Sequence, residues 1–254
     1  MTISIITVCF DSADCIVSAL RSIDAQRGPD IEHVVVDGGS RDATLTLLDA
    51  HARPGRHVVS ERDTGIYDAM NKGLRRATGE IVGFLNADDM LASPHTIARI
   101  AQAFADDPNL DACYGDLEYI SADDPPRTVR YWRSGPFSQE GLRKGWMPPH
   151  PTFYARRSLL ARVGEFDTRL RIAADYELML RCLVRPDLRI AYLPEVLVRM
   201  RLGGASNASL AALLRKSRED LVAMRRHGVG NITTLLAKNL RKLPQFFQRQ
   251  RNEV

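Results

Sequence analysis

Two adjacent carboxylates follow an apolar segment in the first half of the chain. Residues 81–85 have the length and composition of a buried parallel strand, and Asn86, Ala87, Asp88 and Asp89 come directly after it. Neighbouring carboxylates repel each other unless a cation or a hydrogen-bond donor holds them. Hard oxygen ligands at the carboxyl end of a central strand suit Mg²⁺ or Mn²⁺. The segment therefore predicts a metal site that handles phosphates.

Other polar groups end other predicted strands. Thr7 and Phe10 lie at the end of the first strand, and Asp37 ends the second. In an open α/β sheet these strand ends converge on one crevice. Asp37 either accepts a hydrogen bond from a base or a ribose hydroxyl, or belongs to a tight turn in which Ser40 caps the next helix.

A third polar group lies on one predicted helix. Asp68, Asn71 and Lys72 are spaced i, i+3 and i+4, so they share one helix face. This face either lines the same crevice or is simply solvated. Lys72 either neutralises a phosphate or pairs with Asp68.

Repeated strand and helix patterns position these groups. Up to about residue 115 we expect strands at 3–10, 31–36, 57–60, 81–85 and 112–115, and helices at 14–26, 40–51, 67–77 and 94–105. Such βα units predict an α/β fold with a doubly wound, mostly parallel sheet. Right-handed crossovers bring all the strand carboxyl ends to one edge.

The pattern changes after Asp116. We expect a turn at 123–126, a strand at 128–132, helices at 158–163 and 174–183, and short strands at 190–193 and 196–200. Two basic helices follow at 208–227 and 232–251, the second interrupted by Pro244.

The composition predicts a globular protein and leaves nucleic-acid binding unsupported. The 254 residues are 44% hydrophobic and 26% charged, with a net charge of +4. From Leu213 onward, ten Lys/Arg and three Asp/Glu give a net charge of +7, which leaves −3 for the rest of the chain.

Four cysteines without a CxxC pair, no basic leader and no apolar run near 18 residues predict a cytoplasmic protein with reduced thiols. The basic residues lie on the tail without regular aromatic interleaving, which argues against a nucleic-acid partner.

The basic tail is also amphipathic. Cationic side chains alternate with apolar ones, in the series Ile232, Leu235, Leu236, Lys238, Leu240, Arg241, Lys242, Leu243, Phe246, Phe247, Arg249 and Arg251. This pattern suits a helix that lies on an anionic membrane surface. A cytoplasmic protein with such a helix could bind peripherally to the inner face of the cytoplasmic membrane. Alternatively, the apolar stripe packs on the domain or on a second subunit in a homodimer.

Taken together, the motifs resemble those of one enzyme family. The segments 7–11, 36–40, 63–73 and 84–89 look like the ordered motifs of the family-two glycosyltransferases, which are inverting enzymes with the GT-A fold. The chain is especially similar to bacterial members that build exopolysaccharides or glycolipids. The resemblance implies a GT-A domain over 1–205, with a Rossmann-like donor nucleotide-binding half at 1–120 and an acceptor half at 121–205. Residues 206–254 form the basic C-terminal helices.

The resemblance also implies roles on the donor side. Thr7 and Phe10 match the turn that holds the nucleotide, Asp37 matches the carboxylate that reads uracil, and Asn71 matches an asparagine beside the donor. Asp68 and Lys72 lie on the same helix and are assigned to the donor site with Asn71. Asn86, Ala87 and Asp88 match the Asp-x-Asp motif, in which Asp88 binds Mn²⁺ or Mg²⁺. The chain departs from the pattern at Asn86, where Asp is commoner, and at Met70, where many members have Arg.

On the acceptor side the resemblance implies a catalytic base. Asp175 matches the aspartate that deprotonates the acceptor hydroxyl, although Ala174 replaces the acidic residue often found before it. Glu177 is the competing base, and a purely electrostatic role of Asp175 at the helix N-terminus is the structural alternative. Three further residues are assigned to the acceptor side: Trp146, His150 and Glu165. A mobile loop that closes over the donor matches Arg199, Arg201, Gly203 and Gly204.

The sequence thus predicts a metal-dependent inverting glycosyltransferase. Its donor would be a nucleoside-diphosphate sugar, UDP-linked before GDP- or TDP-linked, and its acceptor a hydroxyl of a glycan or lipid-linked molecule. The Asn86 and Ala174 departures keep a second hypothesis open, a catalytically inactive nucleotide-sugar-binding protein that acts in assembly or regulation. Nucleotidyl transfer is disfavoured, because its Gly-rich basic loop is replaced here by the acidic segment 11–14.

Overall fold

A computed structural model describes residues 1–121, 123, 126–202, 210–241 and 245. The elements up to residue 120 are β1 (Ile3–Cys9), α1 (Ile16–Asp24), β2 (Ile31–Asp37), α2 (Thr44–Ala50), β3 (Arg56–Ser60), α3 (Ile66–Arg76), β4 (Ile81–Phe84), β5 (Asp89–Leu91), α4 (Thr96–Asp106) and β6 (Ala112–Ile120). Those that follow are β7 (Thr128–Trp132), α5 (Gln139–Arg143), a 3₁₀ turn (His150–Thr152), β8 (Tyr154–Arg156), α6 (Arg157–Val163), α7 (Ala174–Leu183), β9 (Ile190–Arg201), α8 (Leu210–Arg226) and α9 (Ile232–Leu240).

One mixed sheet runs through the molecule in the order β3-β2-β1-β4-β8-β6-β9-β5, with β7 paired to β6. The strands β3, β2, β1 and β4 are all parallel, as the βα repeats predict. In the second half β6 and β9 are parallel, whereas β8, β7 and β5 pair antiparallel to their neighbours. The carboxyl ends of β1, β2 and β4 therefore lie along one edge.

Helices cover both faces of the parallel strands. On one side, residues of β1, β2 and β4 pack with α3, α6 and α7 in a large cluster that also includes Ala223 and Met224 of α8 and Leu235 of α9. On the other side, β1 and β4 pack against α1 and α4. All seven residues of β1 are buried, which is why its sequence reads as an almost continuous apolar run.

Three expected boundaries are wrong. The helix expected at 40–51 begins at Thr44, and Ser40 bonds to Asp37 instead of capping it. The strand expected at 112–115 continues to Ile120. The two short strands at 190–193 and 196–200 form one strand, β9, because the chain bulges around Pro194 while its pairing with β6 shifts between Tyr114 and Asp116.

The C-terminal helices pack on the domain. Gly145 has φ +80°, and a Cβ there would lie 2.7 Å from the Lys238 backbone nitrogen and 2.8 Å from the Thr234 carbonyl oxygen. Helix α9 therefore lies directly on the loop that carries Trp146. Within the described residues, no helix combines the length and the apolar character needed to cross a bilayer. The tail residues Lys242, Leu243, Pro244, Phe246, Phe247, Arg249 and Arg251 fall outside that part of the chain, as do Gly203 and Gly204.

Candidate active site

The turn after β2 is built around Asp37. The side chain is buried, and its Oδ2 accepts hydrogen bonds from the backbone amides of Gly39 and Ser40, each at 3.0 Å, and from the Ser60 hydroxyl at 2.6 Å. The Ser40 hydroxyl donates to Oδ1. Although burial acts to raise the pKa of Asp37, these hydrogen bonds lower it below the ordinary value. Asp37 thus remains ionised and organises the turn, and its role as a base reader stays a prediction.

The other two donor-side residues of the first strand differ in exposure. The Thr7 side chain is fully buried, and its hydroxyl bonds to His33 Nε2 at 2.9 Å. Phe10, at the end of β1, is 58% exposed. A Cβ on Gly38 would lie 2.5 Å from Asp63 Oδ2 and 3.3 Å from the Phe10 ring, so the three loops after β1, after β2 and before α3 meet there. Phe10 is available to a ligand, whereas Thr7 supports the strand from within.

The polar side chains of α3 are hydrogen-bonded to other parts of the protein. Asn71 is buried, donates to the Phe166 carbonyl oxygen at 3.0 Å, and accepts from the Phe166 amide at 2.8 Å. Lys72 donates to the Arg62 carbonyl oxygen at 2.6 Å and lies 3.8 Å from Asp68, whose Oδ2 accepts from the Thr64 amide. These side chains shape the loops around the crevice.

The turn after β4 separates the roles of its two aspartates. Asp88 is half-buried, whereas Asp89 is fully buried and begins β5. Burial, and then the charge of Asp88, raise the pKa of Asp89 well above its ordinary value. Asn86 donates to Asp89 Oδ2 at 3.2 Å, so the residue that departs from the Asp-x-Asp pattern supports Asp89. Asp88 remains the carboxylate of this turn that is open to a ligand.

A metal ion fits this donor set only together with a substrate. In the described part of the chain, no three His, Cys, Asp or Glu side chains are gathered as metal ligands. Mg²⁺-type ions are commonly held by one or two carboxylates and by substrate phosphates, with water completing the shell. Asp88 suits that arrangement as the single anionic protein ligand, with the diphosphate supplying the others.

Aromatic side chains connect the β4 end to α7. The Phe84 ring lies 5.3 Å from the His150 ring and 5.2 Å from the Phe166 ring, and Tyr67 stacks on Phe166 at 5.7 Å. The Tyr67 hydroxyl donates to Asp175 Oδ1 at 3.1 Å and to the Ile172 carbonyl oxygen at 2.7 Å. Asp175 is half-buried in the first turn of α7, and Tyr67 and Phe166 connect it to Phe84 at the end of β4.

The competing base, Glu177, is buried and paired. Glu177 is 2% exposed and is bound by His227 at 2.8 Å and by Arg181 at 2.9 Å, with Arg226 at 3.6 Å. Burial acts to raise the pKa of Glu177, but the hydrogen bond with His227 and the charge and hydrogen bond of Arg181 outweigh it and lower the pKa below the ordinary value. Glu177 therefore joins α7 to α8.

The acceptor-side residues occupy different settings. Trp146 is half-buried, donates from Nε1 to the Ser134 carbonyl oxygen at 2.6 Å, and packs edge-on to Tyr114. Burial lowers the pKa of His150, although nearby Asp175 acts to raise it. Glu165 is exposed and pairs with Arg75 at 2.6 Å. Of these three residues, His150 is the one whose pKa responds to the charge of Asp175.

The predicted closing loop is only partly described. Arg199 lies in β9, 3.4 Å from Glu118, and Arg201 donates to Ser18 of α1 at 2.8 Å. Strand β9 pairs antiparallel with β5, and Met200 is the partner of Asp89. Arg201, the next residue, thus lies near the Asp88 turn.

Residues 4–163 match the family model described as Glycosyl transferase family 2. The chain belongs to this family. It is 34% identical over 208 residues to a PGL/p-HBAD biosynthesis glycosyltransferase of Mycobacterium bovis (strain BCG / Pasteur 1173P2), covering 80% of this chain and 78% of the relative. It is also 32% identical over 225 residues to the O-antigen biosynthesis protein RfbC of Myxococcus xanthus, covering 83% of this chain but 16% of that protein.

Solved structures confirm the GT-A fold. Residues 1–349 of S. aureus TarS in complex with UDP-GlcNAc superpose with a TM-score of 0.70 at 21% identity, over 90% of this chain and 66% of the TarS chain. The mannosyltransferase PcManGT from Pyrobaculum calidifontis, in complex with GDP-Man and Mn²⁺, superposes with a TM-score of 0.68 at 22% identity, over 96% and 72%. The family model and the mycobacterial relative confirm the prediction of a family-two glycosyltransferase, and the solved structures confirm its fold.

Three residues of this family-2 glycosyltransferase went unassigned from the sequence. Tyr67 lies inside the 63–73 motif, but its bond to Asp175 spans 108 residues. Glu219 of α8 and Lys238 of α9 also reach the α7 region: Glu219 binds the turn before α7, and the Lys238 ammonium lies 3.2 Å from the centre of the Tyr176 ring and 2.8 Å from Asp220. In the sequence, Glu219 and Lys238 show only as charged residues of amphipathic helices, and such residues usually face solvent.

Proposed function

We propose that this chain transfers a sugar, with inversion, from a UDP-sugar to a hydroxyl of a glycan or lipid-linked acceptor in bacterial glycolipid or polysaccharide synthesis. The observation that carries the proposal is the hydrogen bond from Tyr67 to Asp175 Oδ1, together with the aromatic contacts that connect Tyr67 through Phe166 to Phe84 at the end of β4. The printed names of the mycobacterial and myxococcal relatives support a role in glycolipid or O-antigen synthesis. The TarS complex with UDP-GlcNAc supports the choice of donor.

In this proposal Asp175 is the general base. The Tyr67 hydroxyl donates to Oδ1, so Oδ2 accepts the proton of the acceptor hydroxyl as that oxygen attacks the anomeric carbon. One displacement with one base inverts the anomeric centre and needs no covalent sugar intermediate. His150, whose pKa is lowered, is neutral and does not neutralise the base.

The donor diphosphate occupies the turn after β4. Asp88 would hold Mn²⁺ or Mg²⁺ together with the diphosphate, and such an ion would supply positive charge toward the leaving nucleotide. Phe10 offers an exposed ring to the base, and Arg201 lies near enough to the Asp88 turn to meet phosphate charge. The Mn²⁺ in the PcManGT complex supports the use of a divalent ion.

A donor screen with two variants tests the proposal. We expect the wild type to release nucleoside diphosphate from one sugar nucleotide in the presence of Mn²⁺ or Mg²⁺. Asp175→Asn should abolish release while leaving donor affinity within about twofold, because it removes a proton acceptor and little volume. Asp88→Ala should remove the metal dependence of nucleotide binding. The matched control is Asp30→Asn, an exposed residue that precedes β2 at the opposite sheet edge.

Two results would contradict these assignments. Wild-type turnover by Asp175→Asn would exclude it as the base. Binding of a sugar nucleotide without any release, by the wild type and across all donors, would favour the second hypothesis, an inactive nucleotide-sugar-binding partner in assembly.

The proposal includes contact with an anionic membrane surface. Ile232, Leu236 and Leu240 share one face of α9 and are 59%, 58% and 62% exposed, whereas Leu235 packs on the domain. On the neighbouring helix, Arg215 and Arg218 line an open depression of about 510 Å³ together with Arg171. Exposed apolar side chains on one C-terminal helix and guanidinium groups on the other suit a phospholipid surface.

Vesicle flotation tests the membrane contact. We expect the wild type to float with vesicles that contain anionic lipid and not with zwitterionic vesicles. Ile232→Ser/Leu236→Ser should lower the floated fraction, whereas Leu235 is left intact to keep α9 in place. Equal flotation of both forms would remove the membrane contact, and a dimer seen by light scattering that the double variant dissolves would assign the stripe to a second subunit.

A further inference from the structure

Helix α7, which carries Asp175, begins without a cap of its own. The residue at its N-cap position is Ala173, and neither Ala173 nor Ala174 has a side chain that can accept a hydrogen bond. The first amides of a helix lack partners within it, so a buried helix start needs an acceptor from elsewhere. The acceptor must come from another part of the chain.

Glu219 of α8 supplies an acceptor for the N-cap amide of Ala173 and for the two amides that precede it. Its Oε1 accepts from the Arg171 amide at 3.1 Å, and its Oε2 accepts from the amides of Ile172 and Ala173 at 2.8 and 3.0 Å. One carboxylate therefore binds three consecutive backbone amides. Hydrogen bonds to an ionised acceptor are about twice as strong as neutral ones, and negative charge is favourable near a helix N-terminus.

The same turn is held from its other side by the residue that binds Asp175. The Ile172 amide faces Glu219, while the Ile172 carbonyl oxygen accepts from Tyr67, whose hydroxyl also donates to Asp175 Oδ1. Glu219 and Tyr67 thus fix one peptide segment between α8 and α3. If Glu219 released the segment, both the start of α7 and the acceptor for the Tyr67 hydroxyl would move.

We propose that Glu219 is a positioning residue that holds Asp175 in its reactive placement, so that a C-terminal helix forms part of the acceptor side of the site. This rests on the proposed function, because it takes Asp175 as the base. It assigns to α8 a role distinct from membrane contact. In this role Glu219 acts on Asp175 through the turn 171–173.

Kinetics of three variants test this role. Glu219→Gln keeps the side-chain size but turns an amide NH₂ toward one of the three backbone amides, and Glu219→Ala removes all three acceptors. We expect kcat to fall about tenfold for Gln and about a hundredfold for Ala, with the donor KM unchanged within about twofold. Glu219→Asp, which keeps the charge on a shorter side chain, should recover part of the loss. The control is Glu80→Gln, an exposed residue before β4 at the opposite sheet edge.

Hydrogen exchange supplies a readout that does not depend on activity. In Glu219→Gln the amides of 171–173 should exchange at least about tenfold faster than in the control, at a temperature where both are folded. Unchanged kcat, a loss of kcat matched by an equal loss of donor affinity, or unchanged exchange of these amides would each overturn the inference. If exchange accelerates but the wild type and the control transfer no sugar from any donor, the clamp exists and the proposed function fails, and the positioning role fails with it.

Discussion

A substitution at Asn71 tests whether this residue binds the donor or stabilises the fold. The family resemblance places it beside the donor, whereas both polar atoms of its amide are bound to the backbone of Phe166, 95 residues away. Asn71 and Phe166 are 4% and 3% exposed. Water therefore cannot replace the amide if it is removed, and Asn71→Ala leaves a buried N–H and a buried C=O without partners.

The loss of stability in Asn71→Ala follows from the unpaired N–H and C=O groups of Phe166. A buried polar group that loses its partner costs about 1–3 kcal/mol, so the pair gives a loss of about 3 kcal/mol in the free energy of unfolding. For a chain of this size, 1 kcal/mol corresponds to about 2–4 °C in Tm, so we expect Tm to fall by about 6–12 °C. Asn109→Ala, at an exposed position after α4, should change the free energy of unfolding by less than about 0.5 kcal/mol.

Urea unfolding and calorimetric titration with the donor distinguish the two roles. The structural role predicts a lowered midpoint and, below the transition, donor affinity within about threefold of wild type. A variant with wild-type stability and a large loss of donor affinity would refute the reasoning and return Asn71 to the donor site.

Two further changes test the packing. Gly145→Ala should lower the free energy of unfolding, measured in urea, by at least about 2 kcal/mol, because its Cβ would meet the α9 backbone. The control is Gly135→Ala, at φ +69° with open space around it, which should lose only the roughly 1 kcal/mol that a non-glycine residue costs in the left-handed region. Equal losses in the two variants would show that α9 does not press on Gly145. Buried His33, which accepts from Arg56, has its pKa lowered well below the ordinary value, first by burial and then by the charges of Arg56 and Arg53. Since the unfolded chain takes up this proton near pH 6.5 and the native chain does not, stability is fully present above pH 6.5 and is lost as the pH falls from there toward the native pKa, by up to about 1.4 kcal/mol per pH unit. His33→Asn should show a shallower loss between pH 6.5 and 5 in urea titrations, and an unchanged slope would contradict this.

The sequence predicts the local features well and the long-range contacts poorly. The helix expected at 174–183 has the observed bounds of α7, because its apolar spacing and the preceding loop are local signals. The parallel order of the first four strands also follows from local βα repeats. The hydrogen bonds of Asn71 with Phe166 and of Glu177 with His227 connect residues 50 or more apart, and no rule of sequence spacing predicts them.

The errors have physical causes. Ser40 has the chemistry of an N-cap, but Asp37 competes for its amide and hydroxyl, and the helix starts four residues later. Pro194 predicts a strand break, yet a bulge around it lets β9 continue beside β6. In both cases a tertiary or turn interaction outweighs the local preference.

The clamp between Glu219 and the turn 171–173 has a consequence for chimeric enzymes. A natural place to exchange acceptor or membrane modules between relatives is the expected junction near residue 205. In a chimera joined there, residues 171–173 and Tyr176 would come from one parent enzyme. Their partners, at the positions of Glu219 and Lys238, would come from the other parent. Successful recombinants should therefore be those whose imported helix carries an acidic residue in register with Glu219, whatever the similarity of the remaining tail.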